Sequence, residues 1–309
     1  MNALSIFDAQ LRSFSLSQRI LSWMAIFPLS AALLAFVVHV RKKCKCGKRR
    51  YLLVASFFFI FFLVLLGIIL LRRNVPYKEI DVKLWFEIST GLAFLFYLLH
   101  CLYYEGMDAS FALFVVGLLY GGILENGGIL LGFFKEEGFH VYLPFLPAPL
   151  FTTLGWCNVF YSCRFLAGQL FKEERDRLDN CERTGEWSRW LEPFSFALTL
   201  TVFALFLDLQ LDPYATHHGL WIWNEGLNPF LGGVPLVNFT AWVSAVFPFA
   251  LVFRLLERNR KEKDGILSIH LLIRMPLIIL LAVLMVLSII FLLEGYDSPA
   301  MRILLQYTP

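Results

Sequence analysis

The chain has 309 residues, of which 58% are hydrophobic and only 17% charged, and its formal net charge is +3. A soluble globular chain is about half apolar and about a quarter charged, so this composition excludes an ordinary water-soluble domain. The basic residues lie in short loops rather than on one broad face, which excludes a nucleic-acid partner.

Residues 1–18 show no cleavable signal pattern: Asp8 and Arg12 interrupt them, and no small-residue cleavage site follows the first apolar span. Leu4, Phe7, Leu11 and Phe14 recur at 3,4,3 spacing, which predicts a short interfacial helix over 1–19, with a frayed terminus as the alternative. A helix needs about 20 apolar residues to cross the hydrocarbon layer. Eight segments meet that length: 20–40, 51–71, 84–104, 109–134, 148–171, 191–212, 234–256 and 269–293. The expected fold is therefore all-α, a single transmembrane bundle of about eight spans over 20–309, with neither a repeat nor a long linker to divide it. The six cysteines form no disulfide framework, and Cys44-x-Cys46 lacks the further ligands that a metal site needs.

Loop charge sets the expected orientation. Seven Lys and Arg residues crowd the 41–50 loop, and five each lie in 172–190 and 254–268. Only Lys135 falls in 135–147, and none falls in 213–233. The four in 72–83 weaken the contrast without reversing it. This pattern places both termini outside the cytoplasm, in a multi-pass protein of the cell inner or plasma membrane.

An ionisable group inside a span is costly and calls for a reason. Gly117, Gly121, Glu125, Gly128 and Gly132 recur at 4,4,3,4, so Glu125 shares a helical face with small residues and is expected to point into the bundle. Asp208 and Asp212 stand one turn apart, and Pro213 predicts that their helix ends there. The following loop carries His217-His218-Gly219-Leu220-Trp221-Ile222-Trp223, and Asn238 and Trp242 share a face of the next span. The orientation places Glu87, Glu125, the aspartates and this loop at one level near the outer surface. Arg164 falls toward the cytoplasmic end of its span and is expected to snorkel. Adjacent histidines rarely meet one metal, and no H-E-x-x-H pattern is present, which leaves a metal-dependent lipid hydrolase poorly supported.

The run Asp208-x-x-x-Asp212-Pro213, then Gly219-Leu220-Trp221-x-Trp223, then Gly233-Val234-Pro235-Leu236-x-Asn238-Phe239-x-x-Trp242, resembles the carotenoid biosynthesis proteins, a family that includes carotenoid 1,2-hydratases of the bacterioruberin and γ-carotene pathways. Glu125-x-Gly127-Gly128, Tyr142, Pro149-Leu150 and Gly155-Trp156 extend the resemblance, which covers roughly residues 115–245. Phe133-Phe134-Lys135-Glu136-Glu137 and Ala241 depart from the family pattern.

The resemblance implies addition of water to the terminal C1–C2 double bond of a linear carotenoid such as lycopene. That reaction needs a proton donor, a setting that tolerates a tertiary cation, and a placed water. A carboxylic acid buried among apolar helices can keep its proton near neutrality, which suits Glu125 or Asp208. An ionised Asp212 would take the proton from water. Trp156, Trp221 and Trp223 would offer ring faces to the cation, Asn238 would orient the water, and Trp242 would complete the substrate-binding set. The reaction calls for no cofactor or metal, and the expected partners are an isoprenoid substrate within the bilayer and membrane lipids. The alternative is a transporter or lipid-binding protein whose acids couple to protons or cations, although its Pro-containing spans do not pair into the repeated halves common there.

Overall fold

A computed structural model describes residues 82–143, 145–171, 186–260 and 266–306. The surface helix of 1–19, the spans at 20–40 and 51–71, the loop at 41–50, most of the loops at 72–83 and 172–190, and Cys44-x-Cys46 lie outside the described residues.

The described chain is mostly helical. In order it runs α1 (Val82–Tyr104), α2 (Met107–Leu131), α3 (Leu150–Leu170), α4 (Glu186–His217), α5 (Leu236–Arg260), α6 (Leu267–Glu294) and α7 (Pro299–Leu305). Five of these helices are long and apolar enough to cross a membrane, namely α1, α2, α4, α5 and α6. The predicted span at 148–171 folds as α3 and has the length, but Thr152, Thr153, Asn158, Ser162 and Arg164 dilute its apolar character. Many large apolar side chains of α6, among them Leu277, Leu280, Leu284, Phe291 and Leu292, point outward, as a lipid-facing helix requires.

Two antiparallel ribbons add to the helices. β1 (Phe134–Lys135) pairs with β2 (Ile222–Trp223), and β3 (Pro229–Leu231) pairs with β4 (Val234–Pro235). Pro213 does not end its helix as the sequence predicts. α4 continues to His217, because a proline removes one backbone hydrogen bond while the turns on either side still propagate. Gly232, at φ +59°, lets the ribbon turn come close to Pro213: a Cβ there would sit 2.6 Å from the Pro213 Cβ.

The described residues cluster into two compact units, one running up to Asn158 and including His218–Asn224, the other made of Val159–His217 and the residues from Glu225 onward. In the first, Leu84 and Leu95 of α1 pack with Val141 and Leu143 of the loop and with Leu150, Phe151 and Leu154 of α3. Within α2, residues Phe111–Val116 form a π-helical turn, and the Phe114 carbonyl accepts the Cys157 thiol at 3.7 Å. Beyond that turn the small-residue stripe does what its spacing predicts. Gly121 lies directly under Trp156, with no room for a Cβ, and Gly128 lies under Phe134. Gly132 ends the helix in the left-handed conformation at φ 83°.

In the second unit α5 packs against both α4 and α6. Phe160 of α3 stacks on Phe249 of α5 at 4.2 Å. Arg164 is buried rather than snorkelling: it pairs with Glu257 at 2.5 Å and lies over the Phe253 ring. Arg254 binds Glu192 and, at 2.8 Å, Glu257, so an alternating chain of charges ties α3, α4 and α5 together. Each arginine fork satisfies carboxylate oxygens that the apolar surroundings would otherwise leave without a donor.

Three stability outcomes follow from this packing. Gly121→Ala should destabilise the protein by about 1–3 kcal/mol through the clash with Trp156, whereas Gly127→Ala, with open space at its Cβ, should be neutral or stabilising by up to ~1 kcal/mol. Thermal unfolding in a fixed detergent separates the two. Arg254→Met should cost about 3–5 kcal/mol by taking from Glu192 its close partner and leaving Glu257 with Arg164 alone, read from the same melting curves.

Candidate active site

Asp208 and Asp212 share one face of α4, as their spacing of four predicts, and both are almost wholly buried, at 0% and 3% exposure. Their carboxyl groups hydrogen-bond each other. From α5, the Asn238 amide donates to Asp212 Oδ2 at 2.6 Å and reaches both oxygens of Asp208 at 3.3 Å. Trp242, one turn further along α5, also hydrogen-bonds both carboxyl groups. The ribbon turn before α5 sets this register. Val234 and Pro235 are buried in β4, and Leu236 starts the helix, so Asn238 falls in its first turn. Two carboxyl groups in contact supply one proton between them most readily, because two bare carboxylates offer each other only acceptors. The arrangement can therefore present an acid and a base side by side, with an amide and an indole holding their geometry.

Glu125 belongs to the first unit. It faces α3, where its Oε2 accepts the Trp156 indole N–H at 2.7 Å. Trp156 is itself 8% exposed, wedged over Gly121. Next to Glu125, buried Asn126 donates to the Gly122 carbonyl at 2.7 Å and accepts from Ala148 N at 3.0 Å, which fixes the loop entering α3.

The aromatic loop is ordered against the first unit. Trp221 meets Phe86 of α1 edge to face, with centroids 5.9 Å apart. Trp223 lies in β2 against Phe134, with ring centroids at 5.3 Å, and Asn224 binds the Gly132 and Phe133 carbonyls. His217 and His218 are exposed at the end of α4.

Three polar residues of this unit have partners that sequence spacing does not give. Glu87 is 1% exposed and clamps the loop, accepting His140 N at 2.8 Å, His140 Nδ1 at 2.5 Å and Val141 N at 3.2 Å. Its position inside a span marks it as unusual, but its partners lie more than fifty residues away. Glu136 is fully buried and accepts from Thr152 at 3.2 Å. Tyr142 donates to the Glu136 carbonyl at 3.0 Å and accepts Phe139 N at 3.2 Å. Burial, reinforced by the charges of Glu136, Glu87 and Glu137, holds the Tyr142 phenol well above its ordinary range, so it stays protonated and keeps that hydrogen bond.

No curated protein and no solved structure matches the chain. A family model described as carotenoid biosynthesis protein matches residues 91–307, which takes in α2 to α7 and every residue of the Asp208, Glu125 and Trp221 clusters except Phe86 and Glu87. With more than two thirds of its length matched by that model, the chain belongs to the carotenoid biosynthesis protein family.

Proposed function

We propose that this membrane protein is a cofactor-independent hydratase that adds water to the terminal C1–C2 double bond of a linear carotenoid. The observation that carries the reading is the buried Asp208–Asp212 pair, hydrogen-bonded internally and bridged by Asn238. Family membership supports a role in the pathway. The apolar helices suit a substrate delivered from the bilayer.

In this mechanism Asp208, one turn deeper in α4, gives its proton to C2 of the terminal alkene. A C–H bond forms at C2 as the π pair is consumed, and a tertiary cation is left at C1. The carboxylate that remains stabilises that cation electrostatically. Water bonds to C1 and passes its extra proton to Asp212, and transfer within the pair restores the starting state. No electrons are gained or lost, so the chemistry needs neither a nicotinamide nor a flavin. Asn238 holds the two carboxyl groups in register, and Trp242 adds a second donor to them. Glu125 of the first unit, its carboxyl oxygen already taking an indole N–H, takes no step in this mechanism. The reading also carries the eight-span bundle, with both termini outside the cytoplasm.

Expression in a lycopene-accumulating host should convert lycopene into a pigment heavier by one water, detected by mass spectrometry. Unchanged lycopene with folded, membrane-inserted protein would refute the reading. Asp208→Asn should lower conversion by about 10²–10⁴-fold without removing the protein from the membrane. Asn238→Ala should give a smaller loss of at least about tenfold. Conversion by purified protein should survive EDTA and need no added nicotinamide or flavin; dependence on any of these would point to a different reaction.

A further inference from the structure

The Trp221 indole N–H is buried yet meets no acceptor among the described residues. Buried donors are nearly always paired, and an exception calls for an explanation in the molecule. Slack in the loop does not explain it. The Trp221 ring is set edge to face with Phe86 at an interplanar angle of 87°, and Phe86 packs in the same manner on Phe139 at 6.0 Å. The Phe139 loop is pinned by Glu87 through His140 and Val141. On the other side of Trp221, β2 pairs with β1, and Asn224 is tied to the Gly132 and Phe133 carbonyls. The donor is held in place without an acceptor among the described residues.

We infer that the Trp221 Nε1–H is a recognition point for a neutral oxygen acceptor, a hydroxyl or carbonyl, borne on an otherwise apolar isoprenoid chain. The partly exposed Phe86 ring beside Trp221 suits the hydrocarbon part of such a ligand. The charge of this unit disfavours an anionic head group. Glu87, Glu136 and Glu137 all act electrostatically on neighbouring Tyr142, and the nearby cation, Lys83, is engaged by the Glu137 carbonyl at 2.5 Å. A diphosphate would add negative charge to a unit that already holds these three acids. A hydroxyl meets a waiting donor. This inference rests on the carotenoid reading of the preceding section and narrows it: the protein distinguishes an end that already carries oxygen from a bare hydrocarbon end.

The test measures binding to full-length protein in nanodiscs and therefore does not depend on turnover. The probes are lycopene, singly hydrated lycopene and geranylgeranyl diphosphate. Wild type should bind hydrated lycopene more tightly than lycopene. Trp221→Phe keeps the ring contact with Phe86 and removes the N–H, and should weaken hydrated lycopene by about tenfold more than it weakens lycopene. Equal losses for both pigments, or no loss for either, would overturn the inference, as would displacement of hydrated lycopene by the diphosphate. Should Trp221→Phe fail to fold, wild type carrying ¹⁵N-labelled indoles decides the matter. One indole N–H resonance should move downfield with hydrated lycopene and not with lycopene, and an unmoved spectrum refutes the site. Failure of wild type to bind either pigment would sink the carotenoid reading itself, a result distinct from failure of the Trp221 variant alone.

Discussion

A carboxyl group carried into an apolar helix must be met by a donor from another segment, since lipid offers none, and this requirement governs how the chain is put together. Glu125 of α2 is met by Trp156 of α3. The aspartates of α4 are met by Asn238 and Trp242 of α5. Glu257 of α5 is met by Arg164 of α3, and Glu192 of α4 by Arg254 of α5. Apolar packing alone discriminates weakly between helix partners in a bilayer, where side chains and lipid tails are equally oily. The polar pairs supply the discrimination, because a wrong partner would leave a charge or a proton donor stranded. Candidate chemistry and helix registry thus draw on the same residues.

That double use explains which parts were legible in advance. Helical periodicity is local, so the shared face of Asp208 and Asp212, the shared face of Asn238 and Trp242, and the inward aspect of Glu125 could all be counted from spacing. The small-residue stripe announced that something bulky would lie against α2, and Trp156 does so at Gly121. Partners from distant segments were another matter. Nothing local links Glu87 to His140, or Phe134 to Trp223, because those contacts form only when the chain returns to the same place. Arg164 looked like a residue reaching for the interface until Glu257, more than ninety positions later, proved to be its counter-ion. Pro213 was read by its usual effect on helices, yet α4 carries on to His217.

Family membership and site geometry contribute at different levels. The match over residues 91–307 places the chain in a biosynthetic class, whereas a reaction has to be argued from particular groups. The Asp208–Asp212 pair is suited to moving a proton out and back within one site, which is what redox-neutral addition to an alkene demands. The Glu87 clamp serves a different end. One carboxylate takes three N–H donors from adjacent residues, turning a loop into a rigid shelf for the Phe139 and Phe86 rings on which Trp221 leans.

The π-helical turn at Phe111–Val116 has a bearing on how this family can tolerate change. Such a turn takes up one residue more than regular α-helix would, and each residue turns the helix through about 100°. Glu125 and the glycines that accompany it sit downstream of that extra residue, while Phe114, which packs on Phe94 of α1, sits within it. The turn therefore acts as a phase adjuster, allowing the first part of α2 to address one neighbour and the last part another. A relative lacking one residue here would have to swing its acidic face through more than a quarter of a circle, or make up the difference elsewhere in the helix, before its glutamate could again find a tryptophan.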